Sequence, residues 1–318
     1  MVKVISIGNT CLDLVLRYGR KLPAWGTEAF FDEAEWRLGG QGANFAVATS
    51  KLELPTRLVS SIGANHIGQQ FASELRSIRF LDTEFLRVEE TDTGFSVTLV
   101  RRDGERLFLT FLGHQKAYSL SKDIGHLLDT IDKDDFVHVS GYHMLPSVQT
   151  ELPTILSNIK LEGARVSFDP GWNPAGLDAH EREKLYRLLS HVDYFEPNQL
   201  ELSTLTDALT TASGIKKLKA RYSGVIIVKL GRRGSTTVDQ DGSATNVRTV
   251  PVRALDTVGA GDVFDAGFIS GMIQGHSLQV SARIGNTAAA LAISKTGPSS
   301  HRFPTRLEVD SMLKEGGM

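Results

Sequence analysis

The chain has 318 residues, 41% of them hydrophobic and 23% charged, and a formal net charge of −2 at pH 7. These proportions fit a soluble globular protein with a sizeable core, and the near-neutral charge gives no electrostatic ground for a nucleic-acid or anionic-membrane partner. A single cysteine, Cys11, excludes an intrachain disulfide framework and suits a reducing compartment. The first apolar run is too short for a signal peptide and no stretch approaches a membrane span of roughly 18 residues, so a cytoplasmic location is expected.

Taken in chain order, short β-branched runs at Val4–Ile7, Arg57–Ser61, Phe136–Ser140, Arg165–Phe168, Val192–Phe195 and Val225–Leu230 predict buried strands. Helical periodicity separates them at Asn44–Leu52, Ile67–Ile78, Val148–Ile159, Arg182–Leu189 and Gly214–Arg221. Such alternation predicts an α/β protein, with a mostly parallel central sheet and helices on both faces. Two stretches break the rhythm. Segments 12–38 and 94–112 alternate polar and apolar residues about turns, the second at Arg102-Asp103-Gly104-Glu105. They predict a small β lid on one domain spanning 1–318, or else longer hairpins at the sheet edge. Arg306–Lys314 predicts a final helix, and Gly316–Met318 is expected to fray.

Several strings carry chemistry. Gly8-Asn-Thr-Cys-Leu-Asp13 follows the first strand, and strand C-termini in open α/β sheets are where ligands bind. Asp13 there is a charge inside an apolar run, on a wet face or held by a ligand. Gly39-Gly40-Gln41-Gly42-Ala43-Asn44 opens a helix; the glycines allow close backbone approach, and Asn44 offers a donor and an acceptor together. Phe45 stands where a dinucleotide fingerprint needs its third glycine, which disfavours a Rossmann oxidoreductase. Asn198-Gln199-Leu200-Glu201 puts two polar side chains on one helical face, and also reads as an N-cap with its partner three residues on. Lys229 to Gly234 forms a strand end and a glycine turn.

The most informative run is Asp256-Thr-Val-Gly-Ala-Gly-Asp262. Gly259, Ala260 and Gly261 lie between two carboxylates, and Val263, Phe264, Gly267, Phe268, Gly271 and Met272 continue with helical spacing. A helix N-terminus uncovered by bulky side chains is an anion site. Beside it, Asp262 can serve as a proton acceptor, the alternative being an ordinary helix cap.

The full string resembles the C-terminal signature of the ribokinase-like (PfkB-type) carbohydrate kinases, and the other landmarks follow in family order from Gly8 to Gly297. The resemblance implies a three-layer ribokinase-like fold with a β-sheet lid, and a kinase that transfers the γ-phosphoryl of ATP to a primary hydroxyl of a sugar or sugar-like alcohol. It makes Asp262 the general base, with Gly259, Ala260 and Gly261 as the anion hole. It gives the sugar to Asp13, Gly39, Gly40 and Asn44. It gives the nucleotide to Asn198, Glu201, Lys229, Gly231, Gly234 and Asn286, with Mg²⁺ near Glu201 through water. In many members a monovalent cation such as K⁺ is bound by Asp256 and the loop Ile293–Pro298, which here points to Asp256, Val258 and Ile293. Relatives carry an Asn where Cys11 stands, so ribose is not singled out as the acceptor. Many members dimerise through their lids, and Val97, Leu99, Phe108 and Thr110 on the hairpin, with Phe31 and Trp36 on the other ribbon, offer such a face.

Asn286 could instead face solvent, and His143 could line the sugar pocket or be structural. A nucleoside kinase would need aromatic lid residues such as Trp25, Phe30, Phe31 and Trp36 around its substrate. A non-catalytic sugar or nucleotide sensor on the same fold would be expected to lack the base. There is no P-loop, no Gly-x-Ser-x-Gly elbow and no zinc-type histidine cluster.

Overall fold

Buried β-branched runs build the central sheet of the computed structural model, which describes residues 3–17, 24–101, 106–173 and 175–315. Its strands, in chain order, are β1 (Val4–Ile7), β2 (Cys11–Arg17), β3 (Glu33–Gly39), β4 (Thr56–Gly63), β5 (Leu81–Asp82), β6 (Leu86–Glu89) and β7 (Phe95–Val100). There follow β8 (Arg106–Phe111), β9 (Phe136–Val139), β10 (Arg165–Phe168), β11 (Tyr194–Phe195), β12 (Val225–Lys229), β13 (Ser235–Val238) and β14 (Ala244–Val247). The large sheet runs β14-β13-β12-β11-β10-β9-β1-β4-β5, with β6 also pairing with β4. It is parallel from β5 to β12, and the hairpin β13–β14 closes one edge antiparallel.

Side-chain alternation sends Ile5 and Ile7 to one face and Val4 to the other. Helices Pro146–Leu161, Ala179–Leu189, Gln199–Thr206 and Thr211–Lys219 cover the first face with Leu152, Leu185, Leu202 and Leu218. Helices Gln41–Lys51, His66–Arg76, Ala260–Ile273, Leu278–Ile293 and Arg306–Glu315 cover the second with Phe45, Leu75, Phe268, Ala288 and Leu313. Helix–sheet–helix layering results, as expected.

The lid is a separate sheet in the order β3-β2-β7-β8. Its register sorts side chains cleanly. Asp13, Arg37, Ser96 and Thr110 share one face; Leu14, Trp36, Val97 and Leu109 share the other. Two expectations are corrected here. Phe108 pairs with Thr98 and Thr110 with Ser96, so neither joins Val97 and Leu99 on the apolar face; Leu107 and Leu109 do. Asp13 lies inside the lid strand β2 and not at the end of β1, because the chain turns over Gly8–Thr10 and immediately begins the lid. The expected turn Arg102–Glu105 and the tail Gly316–Met318 lie outside the described residues.

Candidate active site

Helix Ala260–Ile273 begins at Gly259, whose φ of +74° is left-handed and suits glycine. No side chain caps it. Its first N–H groups therefore lack helical partners and point, with the positive end of the helix dipole, into the space beside Gly261. The helix is held in place by close packing on Leu278–Ile293. A Cβ on Gly267 would stand 2.8 Å from the Gly285 Cα, so only glycine allows this approach.

A cavity of about 450 Å³ opens beside this N-terminus, lined among others by Lys229, Gly231, Gly234, Thr249, Gly261 and Asn286. Asn286 does not face solvent. It is buried, and its Nδ2 donates to Ser235 Oγ (3.1 Å) and the Val247 carbonyl (3.0 Å), tying the helix to the edge hairpin.

Asp262 lies in the first turn and is buried. Asn44 Nδ2 donates to its Oδ2 at 2.9 Å. Burial, and then the negative charge of Asp169, push the Asp262 carboxyl up to about 7, against the pull of Asn44 and Lys229. A carboxyl tuned close to neutral pH is suited to taking a proton there.

The residues expected to meet the sugar converge on the same carboxylate. Gly39 ends β3 against Asp13: a Cβ there would stand 2.6 Å from Asp13 Cγ. Gly40, at φ +89°, backs onto the Asn9 main chain. Asn9 Oδ1 accepts the Gln41 N–H (3.0 Å), which starts the helix three residues before Asn44, where periodicity alone had placed its start. Asp13 is nearly buried. Burial raises its carboxyl to about 6 even though Arg37 and Arg302 oppose the rise. Cys11 Sγ lies 3.9 Å from Asp13 Oδ1 and its thiol is also pushed up by burial.

Lys229 lines the cavity, but its ammonium is already engaged. Nζ lies 2.7 Å from Asp169 Oδ2 and 2.9 Å from Asp265 Oδ2, all three nearly buried. Glu196 is buried in the same cluster, and its titration is raised to about 7, first by burial. One cation thus compensates several acids near Asp262.

Asn198 and Glu201 form a capping box. Asn198 Oδ1 accepts from the Leu200 and Glu201 N–H groups, and the Glu201 carboxylate accepts from Asn198 N (2.7 Å) and Nδ2 (2.6 Å). Burial, then Asp169, raise Glu201 to about 8. Among the described residues no group of three or more His, Cys, Asp or Glu side chains is arranged to hold a metal ion. Both Glu201 oxygens are thus engaged with Asn198, so a Mg²⁺ beside this capping box would be held through its own waters and not by direct ligation.

The three residues assigned to a monovalent cation do not fit one. The Asp256 carboxylate is paired with Arg37, and Arg302 Nη1 donates to the Val258 carbonyl at 2.7 Å. The Ile293 carbonyl accepts from the Leu255 and Asp256 N–H groups. His143 packs edge-on against Tyr142 and lines a small cavity with Trp172 and Glu201.

The sequence reading missed Asn9, Arg37, Asp169, Asp265 and Arg302. Asp169 was within reach of the strand-end rule applied to Asp13, since it directly follows β10. Asp265 lies one helical turn beyond Asp262. Arg302 had no local signal.

A parallel α/β sheet with a lid, an uncapped glycine-led helix N-terminus and a buried carboxylate in its first turn are the parts that a small-molecule phosphotransferase needs. Residues 1–306 match the sequence model described as pfkB family carbohydrate kinase, and the chain belongs to that family. It is 26% identical over 288 residues to the ribokinase of Haemophilus influenzae, covering 87% of each chain. It is 24% identical over 298 residues to a nucleoside kinase of Methanothermobacter thermautotrophicus, covering 94% of this chain and 91% of that one. The solved Arabidopsis thaliana ribokinase complexed with ribose and ATP superposes with a TM-score of 0.83 at 24% identity, over 99% of both chains. No helix among the described residues is long and apolar enough to cross a membrane.

Proposed function

We propose that this chain, acting as one kinase domain with segments 12–38 and 94–112 as its lid, transfers the γ-phosphoryl of ATP to a primary hydroxyl of a sugar or sugar-like alcohol. The observation that carries the reading is Asp262, tuned to about 7 at an uncapped helix N-terminus and hydrogen-bonded to Asn44. Asp13, Gly39, Gly40 and Asn44 hold the sugar hydroxyls. Asp262 takes the proton of the attacking hydroxyl as its oxygen bonds to phosphorus and the bond to the departing ADP oxygen breaks. The N–H groups of Gly259, Ala260 and Gly261 stabilise the charge on the transferring phosphoryl. The cavity beside Gly231, Gly234 and Asn286 takes the nucleoside part.

Glu201, with Asn198, would hold Mg²⁺ through water, and that ion supplies charge neutralisation on the phosphates when bound. Lid closure keeps water from competing for the phosphoryl group. The cytoplasm is the fitting location, and neither nucleic acid nor membrane is needed as a partner.

A nucleoside acceptor is not favoured. Trp36 lies on the lid face opposite Asp13 and is not set to stack on a base there, while Trp25 and Phe30 are exposed. A non-catalytic sensor is disfavoured by the tuned carboxylate itself. ADP release measured over a panel of sugars, sugar acids and nucleosides tests the reading. Turnover with a sugar is expected, and a panel that yields only nucleoside turnover, or none, would overturn it.

A further inference from the structure

Three sets of oxygens were candidates for a monovalent cation, and all of them already have partners. Arg302 Nη1 donates to the Val258 carbonyl at 2.7 Å and to the Asp256 carbonyl at 3.4 Å, and lies 3.9 Å from Asp256 Oδ1. Asp256 Oδ1 also accepts the Val258 N–H at 3.0 Å. The other carboxylate oxygen is taken by Arg37, with Arg17 at 3.9 Å. The Ile293 carbonyl accepts two backbone N–H groups, at 2.7 and 3.2 Å.

We propose that the Arg302 guanidinium stands permanently where a monovalent cation would bind, so that this kinase does not depend on K⁺. The inference rests on the kinase reading above.

The chemistry supports the replacement. A guanidinium carries the same single charge as K⁺, is never deprotonated at working pH, and donates to several carbonyl oxygens at once. Arg302 is also built in. Its side chain is 1% exposed, and its guanidinium lies 5.2 Å from the Phe303 ring centroid. The short turn that carries it is anchored by Ser299, whose Oγ donates to the Leu38 carbonyl (3.0 Å) and Asn44 Oδ1 (3.3 Å). A further positive ion among these oxygens would face two buried guanidinium groups and be repelled by both.

The position also gives Arg302 a task. Holding the Val258 carbonyl fixes the main chain immediately before Gly259, so the N–H groups that follow aim at the phosphoryl site. The positive charge behind that loop strengthens the same field. Arg302 is thus a positioning residue, acting through Val258. Arg37 joins the same carboxylate to the lid strand β3.

The test uses the full chain in chloride salts of K⁺, Na⁺, Cs⁺ and tetramethylammonium at equal ionic strength. Wild-type initial rates on the best sugar are expected to agree within about twofold, and activation by K⁺ of about tenfold or more would overturn the proposal. Thermal melting in the same salts needs no turnover. Wild-type Tm is expected to be the same in K⁺ and tetramethylammonium, whereas a K⁺-specific rise would mean that an ion binds. Arg302→Ala should lose rate in tetramethylammonium and regain it with K⁺ or added guanidinium; full kcat in every salt would overturn the proposal. Arg302→Lys keeps the charge, is expected to fold, and should remain indifferent to K⁺. If no acceptor is turned over, the kinase reading fails while the melting comparison still decides the occupancy of the site.

Discussion

Asn44 Nδ2 donates to Asp262 Oδ2 at 2.9 Å, so the side chain assigned to the acceptor sugar is bonded to the side chain assigned to its deprotonation. On the proposed reading, acceptor recognition and base strength are linked through this one hydrogen bond, and a sugar hydroxyl that engages Asn44 arrives next to Asp262.

Asp262→Asn should lower kcat by roughly 10²–10⁴-fold while sparing nucleotide affinity. It should also change stability in a pH-dependent way. The folded carboxyl titrates at about 7, above the unfolded value of about 3.9, so the proton is held more tightly in the native state. The stability that Asp262 contributes is thus complete below the unfolded value and is lost as pH rises through 7. Asn carries no such loss. Melting both proteins at about pH 5 and about pH 8 should show the variant gaining on wild type at the higher pH. A gap that does not change with pH would mean that Asp262 titrates normally.

Neighbouring residues should move the pH–rate profile in opposite directions. Asn44 stabilises the ionised form of Asp262, whereas Asp13 destabilises it. Asn44→Ala should therefore shift the acid limb of kcat/KM towards higher pH, and Asp13→Asn towards lower pH, with both raising the KM for sugar more than for nucleotide. Shifts of the same sign, or equal damage to both KM values, would argue for general disruption.

Lys229→Met removes the cation between Asp169 and Asp265 and leaves buried acids uncompensated. Breaking a buried pair from one side costs about 3–5 kcal/mol. The variant should melt well below wild type near neutral pH and recover partly as pH falls and the carboxyls take up protons. A Tm unchanged at neutral pH would mean that the cluster is already protonated.

The outward face of the lid presents Leu14, Leu16, Trp36, Val97, Leu99, Leu107 and Leu109, with Trp36 and Leu109 about half exposed. Such an apolar face on a sheet without a helix over it suits a second copy of the chain. Light scattering at micromolar concentration should give a dimer mass for wild type and a monomer mass for Trp36→Glu with Leu109→Glu. A wild-type monomer, with or without sugar and nucleotide, would remove the lid-dimer reading.

Local pattern by itself determined much of this protein. The bounds of Val4–Ile7 and Arg165–Phe168 agree with the observed strands residue for residue, because each is a short run carrying β-branched or aromatic residues that turn residues end, Gly8 after the first and Asp169-Pro170 after the second. The uncapped helix start was equally legible, since Gly259 and the spacing after it are local chemistry. What only the tertiary structure decided were the partners. Asn44 meets Asp262 across 218 residues, Lys229 meets Asp169 across 60, and Arg302 meets Val258 across 44. Strand order and lid register bring these pairs together, and a one-residue slip in register would turn Asp13 and Arg37 to the apolar face. The same string that announced a cation site thus carries oxygens whose partners come from residues far along the chain, and no pattern within it reveals that an arginine holds them.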